Sequence, residues 1–112
     1  MINLLKETLE DMKEIKKTPE DVAEVQWIAH TARNYTKHKC SWELFASAIK
    51  NVEYDNGYGT QEINGTLAVI FKDGSWLERY EYGGAEGWVY KKCPPPAEIE
   101  AQTKKEVLTN VW

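Results

Sequence analysis

The stretch FKDGSWLERYEYGGAEGWVY, Phe71 to Tyr90, decides how the fold of this chain is interpreted. It holds six aromatic residues in twenty positions and is interrupted by Asp73-Gly74 and by Gly83-Gly84. Both dipeptides are typical of two-residue turns between antiparallel strands. The stretch therefore predicts three consecutive strands, with the aromatic side chains divided between the two faces of a small sheet.

The two-residue turns also predict which residues share a face. With Asp73-Gly74 as the turn, Phe71 lies opposite Trp76 and Val69 lies opposite Glu78. One face is then apolar and is predicted to be the core, with Ile63, Leu67, Val69, Phe71, Trp76, Tyr80 and Tyr82.

The other face carries Ile70 and Leu77, and it also carries aromatic and basic residues. Because aromatic and arginine side chains often anchor interfaces, they are candidates for a contact surface. The candidate protein-binding residues are Trp88, Tyr90, Arg79 and Glu86.

On this register Glu78 lies on the apolar face and is a candidate buried carboxylate. A carboxylate in such a place needs a hydrogen-bonding or charged partner. It would serve either as a proton-transfer acid or ligand anchor, or as a structural group bonded to a tyrosine, a lysine or a helix N-terminus. A register shifted by one residue would place it in water instead.

The remainder of the chain predicts helices on both sides of a second hairpin. Ile2, Leu5, Leu9 and Met12 follow a helical spacing, and Ser41 is a suitable N-cap for WELFASAIK. The segment 22–40 is interpreted as a hairpin of VAEVQWIAH and YTKHKC, with a helix as the alternative. AEIEAQTKKEVLTNVW predicts a closing helix. The fold class is α+β: an antiparallel sheet, a three-stranded meander plus an N-terminal hairpin, packed against two to three helices in a single domain, 1–112.

Composition limits the classes of function. The net charge of −4 argues against a protein that binds a phosphate backbone, so no nucleic acid is expected as a partner. The start MINLLKETLEDMKEI lacks the features of a signal peptide, and no stretch approaches the roughly 20 apolar residues of a membrane span. We therefore expect a cytoplasmic protein with no membrane partner.

Two histidines and two cysteines are the candidate ligands for a metal ion. His38 and Cys40 share a strand face, and a three-residue loop would place His30 opposite His38. Together with Cys93 they have the chemistry of a tetrahedral zinc site, but the spacing matches no known zinc module. We therefore predict no metal and no cofactor, with solvated histidines and one buried thiol as the expected outcome.

YDNGYG followed by FKDGSWLERYEYGGAEGWVYKKCPPP resembles a group of small proteins from phages and prophages of Gram-positive bacteria. Two positions depart from that group: Gly83 replaces an acidic turn residue, and Gly87 replaces an aromatic residue before Trp88. The group has no assigned activity. The resemblance implies an accessory protein of a mobile element that acts in a bacterial cytoplasm.

The sequence thus predicts a non-enzymatic module that binds a host or phage protein, with inhibition of a host defence system as one form. The alternatives are a small enzyme or zinc protein that uses Glu78 or the set of His30, His38, Cys40 and Cys93, and a structural homo-oligomer.

Overall fold

The computed structural model describes residues 1–57 and 59–93. A short strand, β1 (Ile2–Asn3), leads directly into the helix α1 (Leu4–Glu14). The Asn3 side chain accepts a hydrogen bond from the backbone N–H of Lys6, which caps the helix. The helix ends before Lys16, which has a left-handed φ of 60°, and a 3₁₀ turn (Pro19–Asp21) follows.

The segment after this turn is a hairpin, and the helical alternative is wrong. Strands β2 (Val22–His30) and β3 (Tyr35–Cys40) pair from Val25 opposite Cys40 to His30 opposite Tyr35. The helix α2 (Trp42–Ile49) follows, capped by the Ser41 hydroxyl as predicted. Strand β4 (Glu53–Tyr54) then pairs with β1 in a separate two-stranded sheet.

The predicted meander is confirmed as β5 (Ala68–Phe71), β6 (Trp76–Tyr82) and β7 (Ala85–Lys91). It joins the first hairpin in one five-stranded antiparallel sheet, in the order β3-β2-β5-β6-β7. The α+β prediction is therefore confirmed. The predicted closing helix lies outside the described residues.

The turn between β5 and β6 is longer than predicted, and this changes every face assignment in β6 and β7. Phe71 donates its backbone N–H to the Ser75 carbonyl, so the loop contains three residues and not two. Gly74 occupies the left-handed region at φ 88°, the conformation that a three-residue hairpin loop requires. As a result Val69 lies opposite Leu77, and Ile70 lies opposite Trp76.

Both helices pack against one face of the sheet, which we call the core face. Its centre is formed by Val25 and Val69, both fully buried, together with Leu77 and Phe71. From α2, Phe45 and Ile49 join the same apolar cluster, and α1 contributes Leu4 and Met12. Burying this continuous apolar area is the main source of stability for the fold. Neither α1 nor α2 is long and apolar enough to cross a membrane.

Candidate functional site

An arginine whose side chain is fully buried lies at the centre of the polar interior. Arg79 projects from β6 onto the core face, opposite Trp88 of β7. Its Nη2 donates to the Tyr54 hydroxyl at 2.9 Å and to Glu86 Oε1 at 3.1 Å. Its guanidinium also stacks on the Trp88 ring, 4.7 Å from the centroid. We call Glu7, Tyr54, Arg79, Glu86 and Trp88 the Arg79 cluster.

Helix α1 covers the Arg79 cluster on the core face of the sheet. Glu7 Oε1 accepts a hydrogen bond from the Tyr54 hydroxyl at 2.5 Å and lies 3.4 Å from Arg79 Nη1. Trp88 Nε1 donates to the Thr8 hydroxyl at 2.9 Å. Burial is the main cause that raises the pKa of Tyr54, and the bond to Glu7 raises it further. Tyr54 is therefore held as a neutral phenol and is not suited to act as a base.

Glu86 connects the same cluster to the long loop between β4 and β5. Its buried carboxylate accepts from the backbone N–H groups of Glu62 at 2.8 Å and Ile63 at 3.2 Å. Its own backbone N–H donates to the Asn56 carbonyl at 2.7 Å. One guanidinium thus neutralises two carboxylates that hold a helix and a loop on the sheet. This arrangement serves the fold, because internal partners occupy both carboxylates and both Nη atoms of the guanidinium, while the buried Nε of Arg79 has no hydrogen-bond partner among the described residues.

The predicted contact residues do not form the free surface that was expected. Trp88 and Arg79 are each 7% exposed and Glu86 is 2% exposed. Tyr90 is half-buried, and its ring packs edge-on to Phe71 with centroids 6.4 Å apart. The assignment of these residues to the freer face is wrong, because the three-residue turn reverses the faces of β6 and β7 relative to β5.

The same reversal corrects the prediction for Glu78. Its side chain is 38% exposed and forms an ion pair with Lys91, with Oε1 and Nζ 3.0 Å apart. It lies opposite Ala68 and Val89, on the face away from the helices. Glu78 is therefore not the buried carboxylate of this protein. Glu86 is a fully buried carboxylate, and Glu7 is partly buried.

The structure also separates the predicted metal ligands. His30 lies opposite Tyr35 and His38 opposite Trp27, so the two imidazoles are on different faces of the hairpin. Cys93 is exposed beyond the end of β7. Within residues 1–57 and 59–93, no three side chains of the ligand types form a metal-binding group. Burial raises the pKa of the Cys40 thiol, which disfavours the nucleophilic thiolate.

The face opposite the helices carries the half-buried and exposed aromatic residues. We call this the open face and define it by Ile70, Trp76, Glu78, Tyr80, Val89 and Lys91. Ile70, Trp76 and Val89 are half-buried, and Tyr80 is 46% exposed. Glu78 and Lys91 neutralise each other within the patch. Neither described helix covers this face, which is therefore an apolar surface with balanced charge.

Tyr80 lies across its neighbouring strand because residue 87 is a glycine. The two residues are directly opposite in the β6–β7 pair. A Cβ at Gly87 would lie 3.0 Å from Tyr80 Cε1 and 3.1 Å from its hydroxyl oxygen, closer than side chains normally approach. The missing side chain lets the phenol ring lie over the strand, with part of its surface towards solvent. Glycine at position 87 therefore has a local structural role.

Sequence reasoning missed Trp76 and Tyr80 as surface residues and Glu7 and Tyr54 as members of the polar interior. The first error follows from the turn length alone. The second has no local signal, because Glu7 resembles any polar residue of an amphipathic helix.

Comparison of the sequence with models of protein families, with curated proteins and with solved structures finds no match.

Proposed function

We propose that the protein is a non-enzymatic module that binds another protein through its open face. The supporting observation is that exposed Tyr80 and half-buried Trp76 lie beside Ile70 and Val89, on a sheet whose described helices pack on the opposite face only. Tryptophan and tyrosine are the residues that most often contribute large binding energies at interfaces. Apolar patches that stay exposed on a folded domain commonly mark such interfaces.

The charge of the patch indicates the chemistry of the partner surface. Among the residues that define the open face, Glu78 and Lys91 neutralise each other, so this patch by itself favours neither strongly acidic nor strongly basic surfaces. Glu24, opposite Ile70, borders the patch. The complementary surface is an apolar or aromatic patch on a protein. The resemblance to phage and prophage proteins supports a host or phage protein as the partner, and inhibition of a host defence enzyme is one form of this proposal.

The test compares tagged wild type with Trp76→Ala/Tyr80→Ala in a nuclease-treated lysate of a Gram-positive bacterium. Leu9→Ala/Leu44→Ala is the matched control, since it removes two exposed apolar side chains, 38% and 66% exposed, from the helices. We expect one protein to be retained by wild type and by the control, and to be lost with the open-face variant. With the purified partner, each ring should contribute at least about 1 kcal/mol to binding, a ten-fold loss being 1.4 kcal/mol.

Two results would contradict the proposal. Equal capture by the open-face variant, with an unchanged thermal transition, would place the interface elsewhere. If light scattering instead gave a wild-type dimer and a monomeric open-face variant, the face would pair two copies of this chain, and the homo-oligomer would replace the binding module.

A further inference from the structure

The β2–β3 hairpin extends beyond the rest of the sheet. Strand β5 pairs with β2 from Val22 to Gln26 and no further, and the remaining residues of β2 pair with β3 alone. The last support is at Ile28, whose backbone N–H donates to the Thr66 hydroxyl at 2.8 Å and whose carbonyl accepts from Asn64 at 3.0 Å. Every residue from 30 to 39 is exposed. We call residues 27–39 the arm.

The charge of the arm is opposite to that of the rest of the chain. Residues 25–42 contain Arg33, Lys37 and Lys39 and no aspartate or glutamate. The whole chain carries −4 and this segment carries +3, so the remainder carries −7. The negative total that argued against a nucleic-acid partner therefore describes the body and not the arm.

Antiparallel pairing places basic and aromatic side chains on one side of the arm. Tyr35, Lys37 and Lys39 alternate along β3 on the same side, and His30 lies opposite Tyr35. The His30 and Tyr35 rings are in contact with centroids 4.6 Å apart and a tilt of 40° between their planes, and Tyr35 is 77% exposed. At the foot of the arm is a groove of about 500 Å³ whose lining includes Gln26, Lys37, Lys39 and Thr66.

We propose that the arm binds single-stranded nucleic acid, with Lys37 and Lys39 on phosphates and the Tyr35–His30 pair as a stacking platform. Successive side chains on one side of a strand are about 6.8 Å apart, so the two lysines form a regular row suited to a regularly charged backbone. An exposed tyrosine stacks more favourably on an unpaired base than on a paired one, since only the unpaired base has a free ring face. Polar groups in the groove, such as Gln26, can then hydrogen-bond base edges.

These observations favour a single strand over the two other anionic partners. A duplex offers phosphates but no free ring faces to Tyr35 and His30. An acidic protein surface would satisfy the lysines but gives no role to the Tyr35–His30 ring pair or to the groove. The basic side of the arm continues the open face across the sheet, since Lys39 lies opposite Gln26, which lies opposite Ala68. The inference goes beyond the proposed function because it rests on residues 27–39, none of which is among the residues that define the open face.

The test is fluorescence anisotropy with labelled oligothymidylate of about 20 nucleotides, a length above the usual site sizes of small single-strand binders. With Arg33 as a third phosphate contact beside Lys37 and Lys39, the slope of log K against log salt between about 50 and 200 mM salt should be near −2. Lys37→Gln/Lys39→Gln should reduce that slope to about −0.7, which corresponds to the one remaining arginine. Tyr35→Ala should weaken binding roughly ten-fold without changing the slope.

The matched control is Lys6→Gln/Lys13→Gln, which removes two exposed lysines from α1. It should retain wild-type affinity and slope. Absence of saturable binding at the lowest salt would overturn the proposal. Equal affinity for a duplex, or equal effects of the α1 control and the arm variant, would also overturn it. If the arm variant loses a protein partner while wild type binds no oligonucleotide, the arm recognises an acidic protein instead.

Discussion

At the scale of single residues, the stability of the polar interior depends on Arg79. Its guanidinium lies between Glu7 and Glu86, and its side chain has no exposed area. We expect Arg79→Met to lower the free energy of unfolding by about 3–5 kcal/mol, because it leaves two buried carboxylates without a cation. Denaturant unfolding followed by tryptophan fluorescence measures the change.

A charge-neutral control separates the electrostatic cause from a packing effect. Glu7→Gln/Arg79→Met/Glu86→Gln removes the cation and both anions, so it should recover part of the stability lost in Arg79→Met. An Arg79→Met protein as stable as wild type would show that the cluster is not the support described here. Loss of partner binding in any Arg79 variant therefore reports on folding and not on an interface.

Protonation of Asp11 makes the stability depend on pH in the range just below neutrality. Burial, followed by the carboxylates of Glu7 and Glu14, raises its pKa from 3.8 to about 6. Between these two values the folded state binds more protons than the unfolded state, so this group makes stability fall as the pH rises. Above about pH 6 the charged carboxylate is a constant cost to the fold.

Asp11→Asn removes this cost. Because the side chain is only half-buried, screening by solvent reduces the gain to about 1 kcal/mol or less at neutral pH. Near about pH 4 the wild-type carboxyl is mostly protonated when folded, and the two proteins should then have nearly equal stability. Urea unfolding of both proteins at the two pH values measures the difference. A gain that is the same at both pH values would contradict the assignment.

At the scale of elements, the β5–β6 turn determines what each face of the sheet presents. Gly74 has φ 88°, in the region that costs an L-residue about 1–2 kcal/mol. We expect Gly74→Ala to lower the free energy of unfolding by that amount.

Gly57→Ala is the matched control, since Gly57 has no positive φ and a Cβ there meets nothing within 4 Å. It should change stability by less than about 0.5 kcal/mol. Equal effects of the two variants would show that the turn does not need a left-handed residue.

The same turn shows which elements can be predicted from sequence. The capped helix after Ser41 and the two hairpins depend on local chemistry, and all three were predicted. Lys72-Asp73-Gly74 could not be distinguished from a two-residue turn, because both loop types use a glycine with positive φ. A single added loop residue moved Trp76 and Tyr80 from the core face to the open face and moved Arg79 inside.

Long-range pairing is the second part that the sequence did not indicate. The contacts of β2 with β5, of β1 with β4 and of Glu7 with Arg79 each join segments far apart along the chain. Hydrophobic spacing predicts that an element exists, but it does not state which strand lies next to it. The polar interior around Arg79 could not be predicted for this reason, although the fold class was predicted.

At the scale of the whole molecule, the protein consists of an acidic body and a basic arm with different local stability. The core face buries Val25 and Val69 completely, whereas every residue from 30 to 39 is exposed. Local opening is favoured where few apolar contacts are lost, so the arm should open without unfolding the body. An arm of this kind can adjust to a flexible strand at little cost to the fold.

Native-state hydrogen exchange tests this division within a single strand. Hydrogen-bonded amides of residues 22–26 in β2 should exchange only through global unfolding, with a steep dependence on denaturant. Those of residues 28–30 in the same strand should exchange through local opening, with a shallow dependence and a lower free energy.

If both halves of β2 gave the same free energy and slope, the arm would belong to the cooperative core. Lys37 and Lys39 would then lie on a rigid surface, and added oligothymidylate should leave their exchange unchanged. If the arm is a separate unit, the oligonucleotide should slow exchange in residues 28–38 and leave that of β5 to β7 unaltered.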